Sequence, residues 1–169
     1  MKRLLLAAAS FTLLTATSAM AQTVIIVRHA EKADASADPV LSEAGQARAQ
    51  ALGQGRDDID HILVTPLQRT QLTAEPTARA SGVTPEVISL DGGVVTHVDA
   101  VVQRIRGYPA DAKVLVVGHS NTVPLIARAL GHDTPDMPEC EYDRFIVTNV
   151  GSGDRVSLTT RYGEPTTCG

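Results

Sequence analysis

Thr23-Val24-Ile25-Ile26-Val27, followed at once by Arg28-His29, is an unbroken β-branched run that ends in two nitrogen-rich side chains. A strand with one wet face alternates apolar and polar residues. A run without alternation suits a strand covered on both sides, as in a parallel sheet flanked by helices. Moving outward, the pattern recurs at 59–64, more weakly at 86–90, and most clearly at 114–117. Helical spacing fills the intervals. Leu41, Ala44, Ala47, Ala51 and Leu52 recur through about residue 54, with Ser42 as N-cap and Glu43 in the first turn. Thr65-Pro66-Leu67-Gln68 reads as a capping box with Pro66 at the first helical position. Its helix runs toward residue 80, kinks at Pro76 and stops at Gly82. Val98, Val101, Val102 and Ile105 mark a short helix over 98–105 after a Gly92-Gly93 turn, and another spans 121–130, ending near Gly131. Two closing strands, 144–149 and 155–161, flank a turn with Gly151 and Gly153, so the last is expected to be antiparallel. The alternation predicts an α/β fold: a single-domain three-layer α/β/α sandwich, its sheet mostly parallel with an antiparallel C-terminal edge strand.

The start of the chain has a different character. Lys2 and Arg3 precede an apolar run over 4–14, and Ala19-Met20-Ala21 has the small-x-small pattern of a cleavage site. The apolar run falls short of the roughly 20 residues that span a bilayer, so residues 1–21 are expected to be a signal peptide and 22–169 the folded domain. Export to a bacterial periplasm follows, with no stable membrane insertion after cleavage. Without its first 21 residues the 169-residue chain retains 148, enough for one domain with a sizeable core. The formal charge of −4 becomes −6 once Lys2 and Arg3 are lost, which argues against nucleic acid or an anionic membrane as partner. In an oxidising compartment the two cysteines, Cys140 and Cys168, are expected to form one disulfide, two buried thiols being the alternative.

Ligands of open α/β sheets bind beyond the carboxyl ends of the strands. Arg28-His29 follows the first strand, Arg69 lies just after the second, Asp91 follows the third, and Gly118-His119-Ser120 follows the fourth. Two arginines and two histidines from three connections thus converge on one sheet edge in an otherwise acidic protein. Guanidinium forks offer paired donors to phosphate oxygens. A neutral imidazole held through one nitrogen can attack phosphorus with the other. Three other readings compete. The pocket could capture a phosphorylated ligand without turnover. Gly118-His119-Ser120-Asn121-Thr122 partly resembles a serine-hydrolase elbow centred on Ser120, with His132 and Asp133 or Asp136 as partners, but Thr122 stands where the second glycine belongs. A zinc site lacks ligand spacing, because His29, His61, His97, His119 and His132 are scattered.

Three motifs carry a family resemblance. Arg28-His29-Ala30-Glu31-Lys32 after an apolar strand resembles the opening motif of the histidine phosphatase superfamily. Thr65-Pro66-Leu67-Gln68-Arg69-Thr70 with Thr73-Ala74-Glu75-Pro76 resembles the second signature of its phosphoglycerate-mutase-like branch, and Gly118-His119-Ser120-Asn121-Thr122-Val123-Pro124 its second-histidine motif. The resemblance implies a metal-independent phosphatase without cofactor, phosphorylated on His29, with Arg28, Arg69 and His119 completing the phosphate pocket. Many members carry a glutamate after the third strand as general acid. Here that region reads Leu90-Asp91-Gly92-Gly93, leaving Asp91 and Glu31 as candidates for the acid or a substrate contact, and Lys32 as an aid to anion binding. Compact relatives without an evident acid act on phosphohistidine, so the implied partner is a small phosphorylated substrate or a phosphoprotein. The mature chain lacks room for the long insertions of mutases.

Overall fold

The computed structural model describes residues 21–151 and 156–168. The expected signal segment, apart from Ala21, lies outside the described residues, as do positions 152–155 of the final turn. In chain order the elements are β1 (Ala21–Arg28), α1 (Glu43–Gly53), β2 (His61–Val64), α2 (Gln68–Ser81), β3 (Glu86–Val87), α3 (Gly93–Arg106), β4 (Lys113–Gly118), α4 (Val123–Ala129), β5 (Arg144–Gly151) and β6 (Ser157–Arg161).

The sheet order is β3-β2-β4-β1-β5-β6. Strands β1, β2, β3 and β4 are parallel, β5 runs antiparallel to β1, and β6 pairs antiparallel with β5 at the edge. The unbroken apolar run of β1 is explained by its central place. Val24 and Ile26 pack in one cluster with Val98, Val101, Val102 and Ile105 of α3 and Val123 and Ile126 of α4. Ile25 and Val27 point the other way, into a cluster with Leu52 of α1 and Ala74 of α2. Period-two alternation thus feeds two cores, and the three-layer sandwich follows.

Local differences from the sequence expectations have physical causes. Strand β3 has two residues instead of five, because it forms the sheet edge and pairs on one side only. Helix α3 starts at Gly93, five residues before the apolar stripe begins; Gly92 and Gly93 take left-handed φ of 81° and 84°, and His97 Nδ1 bonds the Ser89 carbonyl at 2.9 Å, drawing this extra turn onto the fold. The capping box does not form. Helix α2 begins at Gln68 without a cap from its own flank, since the buried Thr65 hydroxyl is engaged by Thr70 and His119. Asp38 caps it instead, accepting from the Gln68 amide at 2.9 Å.

Cys140 and Cys168 are joined by a disulfide with Cα atoms 5.4 Å apart, closing a separation of 28 residues. It fastens the C-terminal tail to the segment before β5, where Thr166 also bonds the Asp143 carboxylate through its amide at 3.1 Å and hydroxyl at 2.8 Å. Loop-closure entropy sets the expected contribution at about 3–4 kcal/mol. Reduction should therefore lower the urea midpoint of unfolding, and an unchanged midpoint would show that the tail's polar contacts hold it without the bridge.

Candidate active site

Parallel pairing sets Arg28 opposite Gly118, and the His29 amide continues the ladder by donating to the Gly118 carbonyl at 2.9 Å. The residues just beyond the two strands, His29 and His119, therefore stand side by side with ring centroids 5.3 Å apart. Gly118 is required for this turn: a Cβ there would lie 2.8 Å from Thr122 Oγ1, the atom that accepts the His119 amide at 2.9 Å. Arg69 arrives from the first turn of α2. The Ala30 amide donates to Thr73 Oγ1 at 2.9 Å, and that hydroxyl donates to the Arg69 carbonyl at 2.7 Å, so the end of β1 and the start of α2 are tied directly. Thr65 Oγ1, at the end of β2, lies 3.1 Å from His119 Nε2.

Arg28 is nearly inaccessible, and a cage of acceptors holds it. Its Nη1 donates to the carbonyls of Pro138, Glu139 and Glu141 at 3.2, 2.7 and 3.1 Å, its Nη2 donates to the Glu139 carboxylate at 2.8 Å, and its guanidinium carbon sits 4.1 Å from the centre of the Tyr142 ring. Its Nε is buried without a partner, and so is Nε of Arg69. Arg69 itself is loosely held, its nearest carboxylate being Asp38 at 3.8 Å. Two guanidinium side chains and two imidazoles thus line one cleft, a concentration of donors suited to an anion. The cleft has a volume of about 450 Å³. Arg28, His29, Lys32, Arg69 and His119 line it, together with the apolar Leu67, Leu90 and Val94.

His29 Nδ1 lies 2.8 Å from the Ala30 carbonyl. A carbonyl only accepts, so this nitrogen carries the ring hydrogen and Nε2 holds the lone pair. Burial is the largest influence on the ring and, with the charges of Arg28, His119 and Arg69, takes its pKa down to about 3, against the opposing effect of the Ala30 bond. Burial also leads for His119, joined by Arg69, His97 and Arg28, and takes it to about 4. Both rings are neutral in the unliganded site. Because their folded values lie below the ordinary 6.5, an unfolded chain binds protons first as pH falls; their contribution to stability is whole above about 6.5 and is lost down through about 4 to 3. Imidazole NMR shifts of these two residues in phosphate-free buffer should stay flat between pH 7.5 and 5. A midpoint near 6.5 for His29 would contradict the environment described.

The other sequence candidates take different places. Glu31 turns from the cleft, its carboxylate bound by Arg48 Nε at 3.0 Å and Nη2 at 2.7 Å, while Arg48 also donates to the carbonyls of Tyr162 and Glu164 at 2.7 and 2.8 Å. This is a structural anchor for the C-terminal tail. Asp91 accepts from the Ser89 hydroxyl at 2.7 Å within its own turn, and Leu90 lines the cleft in its stead. Neither carboxylate reaches the four-residue cluster. Ser120 bonds Glu139, while His132 pairs with Thr159 at 2.7 Å, so His132 is not the partner of Ser120 that a serine-hydrolase reading needs. His61, at the start of β2, stacks on Tyr108 with centroids 3.6 Å apart, at the opposite sheet edge. Glu139, Tyr142 and His97 were not legible in advance. The first two lie in the connection between α4 and β5, where five acidic residues between 133 and 143 offer no motif that singles one out.

Residues 24–91 match the family model of the histidine phosphatase superfamily (branch 1). Among solved structures, the protein histidine phosphatase SixA complexed with tungstate is similar at 22% identity and a TM-score of 0.62, covering 82% of this chain and 96% of that one. A structure described as mycobacterial hydrolase 2 is similar at 13% identity and a TM-score of 0.63, covering 88% and 93%. A mycobacterial glucosyl-3-phosphoglycerate phosphatase follows at 15% identity and a TM-score of 0.57, covering 76% and 90%. No curated protein sequence matches the chain. The resemblance to the histidine phosphatase superfamily is thus shown, by sequence over the first half of the domain and by fold over the sheet and its helices.

Proposed function

We propose that this chain is an exported phosphatase that hydrolyses phosphomonoesters, or phosphohistidine, through a covalent phosphohistidine at His29. The observation that carries this reading is the meeting of Arg28, Arg69 and His119 in one cleft with His29, a neutral imidazole whose Nδ1 is already committed. A phosphoryl group held by the Arg28 and Arg69 guanidiniums would lie against His29 Nε2. Phosphoryl transfer needs positioning and charge neutralisation above all, and two arginines supply both, so turnover is expected without added metal. His29 Nε2 forms the P–N bond as the ester oxygen leaves, and water then displaces the imidazole. His119, neutral beforehand, gains proton affinity from the bound anion and donates to its oxygens. The likenesses to SixA and to a glucosyl-3-phosphoglycerate phosphatase support the class of reaction, and the apolar lining at Leu67, Leu90 and Val94 favours a small ester with some apolar surface. Export is supported by the Lys2-Arg3 start with its apolar run and by the disulfide; among the described residues no helix is long and apolar enough to cross a membrane.

The test is acid-free quenching of the purified mature chain with a radiolabelled aryl phosphate. The label should be alkali-stable, acid-labile and located on His29. Saturable phosphate binding with no label and no hydrolysis would instead establish a phosphate-binding protein.

A further inference from the structure

We infer that Glu139 is the group that protonates the departing alcohol, which makes oxygen esters with basic leaving groups, and not only phosphohistidine, substrates of this site. The inference rests on the phosphohistidine reading above and extends it to the second reacting atom.

Glu139 is the sole carboxylate among the described residues that line the cleft. It comes from the α4–β5 connection. One of its oxygens, Oε2, lies 2.8 Å from Arg28 Nη2, and the other, Oε1, accepts from the Ser120 hydroxyl. The Glu139 carbonyl at the same time accepts from Arg28 Nη1 at 2.7 Å, and Cys140 next to it is bridged to Cys168. The backbone is therefore held while the side chain stays 80% exposed. That combination suits proton delivery: a fixed origin, a carboxylate beside the phosphate donors, and open exchange with water.

Its charge state follows from what Arg28 is doing. In the empty cleft the Ser120 hydroxyl and the Arg28 charge, against partial burial, hold the carboxyl below its usual range, so it is ionised. A phosphoryl dianion changes both influences. It shares the Arg28 charge, and it brings negative charge beside Oε2. Each raises the carboxylate's affinity for a proton, as happens when like charges share a site. A solvent proton then settles on Oε2. As the P–O bond breaks and His29 Nε2 takes the phosphoryl group, the ester oxygen keeps the bonding pair and receives this proton, leaving as the alcohol. In the second half the Glu139 carboxylate takes one proton from water, the hydroxide oxygen bonds to phosphorus, and the P–N electrons return to His29. The sum is ester plus water to alcohol plus hydrogen phosphate, with Glu139 protonated again.

The decisive measurement is kcat/KM for Glu139→Gln over a leaving-group series from nitrophenyl to alkyl phosphates, since this ratio reports the phosphorylation half alone. Glutamine keeps the shape and an acceptor for Arg28 but has no proton to give. Alkyl esters should lose about 10²–10⁴-fold and the nitrophenyl ester at most about tenfold. Equal losses along the series would mean that Glu139 only positions Arg28, and would overturn the inference. So would an unaffected alkyl ester, or a wild-type chain that labels His29 from nitrophenyl phosphate yet cannot turn over alkyl esters. A wild-type chain that never labels His29 would instead remove the phosphohistidine reading itself.

Discussion

His29→Ala should abolish turnover of every phosphate ester, by about 10⁴-fold or more, while the protein still folds and still binds inorganic phosphate. The size of the loss follows from the role: the P–N bond has no other candidate atom, and removal of a nucleophile disables the whole catalytic unit. His119 is no ready substitute, because its Nε2 is engaged with Thr65 at 3.1 Å. Retained binding follows from Arg28 and Arg69, whose charges remain in the cleft when the ring of residue 29 is removed. Phosphate should therefore still raise the thermal midpoint of the variant. Residual turnover within tenfold of wild type, with label on another residue, would refute the assignment.

Arg28→Lys should cost both activity and stability, although the formal charge is kept. Three carbonyls and one carboxylate converge on the Arg28 guanidinium, and an ammonium has three donors and no fork with which to meet them. At least one carbonyl of the 138–141 segment would be left buried without a donor, at about 1–3 kcal/mol, and the fork that can offer phosphate paired donors would vanish. A loss of about 10²–10³-fold in kcat/KM and a lowered urea midpoint are expected together. Arg69→Lys is the control. Arg69 is more accessible and its nearest carboxylate is 3.8 Å away, so its replacement should reduce activity with little change in midpoint. If the two variants behaved alike in stability, the carbonyl cage around Arg28 would not matter as described.

Much of this could be read along the chain because the signals are local. An unalternating run such as 23–27 can be satisfied only by cover on both faces, and apolar spacing at 98, 101, 102 and 105 only by one buried helical stripe. Strand ends follow from strand positions, and a parallel sheet places all those ends on one edge. That is why His29, Arg69 and His119 could be grouped from three distant segments before any distance was known. Boundaries were less legible where tertiary contacts outweigh propensity. Thr65 has the chemistry of a helix cap, but packing against Thr70 and His119 claims its hydroxyl.

Side-chain commitments lay beyond reach altogether. Glu31 is two residues from His29, yet the bidentate pull of Arg48 turns it outward; Glu139 is 110 residues away and bonds Arg28. A carboxylate's allegiance is settled by which cation the fold brings within 3 Å of it, a long-range outcome that no spacing encodes. Chain order was enough to group the residues proposed to hold and attack phosphorus, since they follow strand ends. Which carboxylate lines the cleft depended on a connection without periodicity, fastened by a disulfide and by three carbonyls on Arg28, and only packing in three dimensions could choose it.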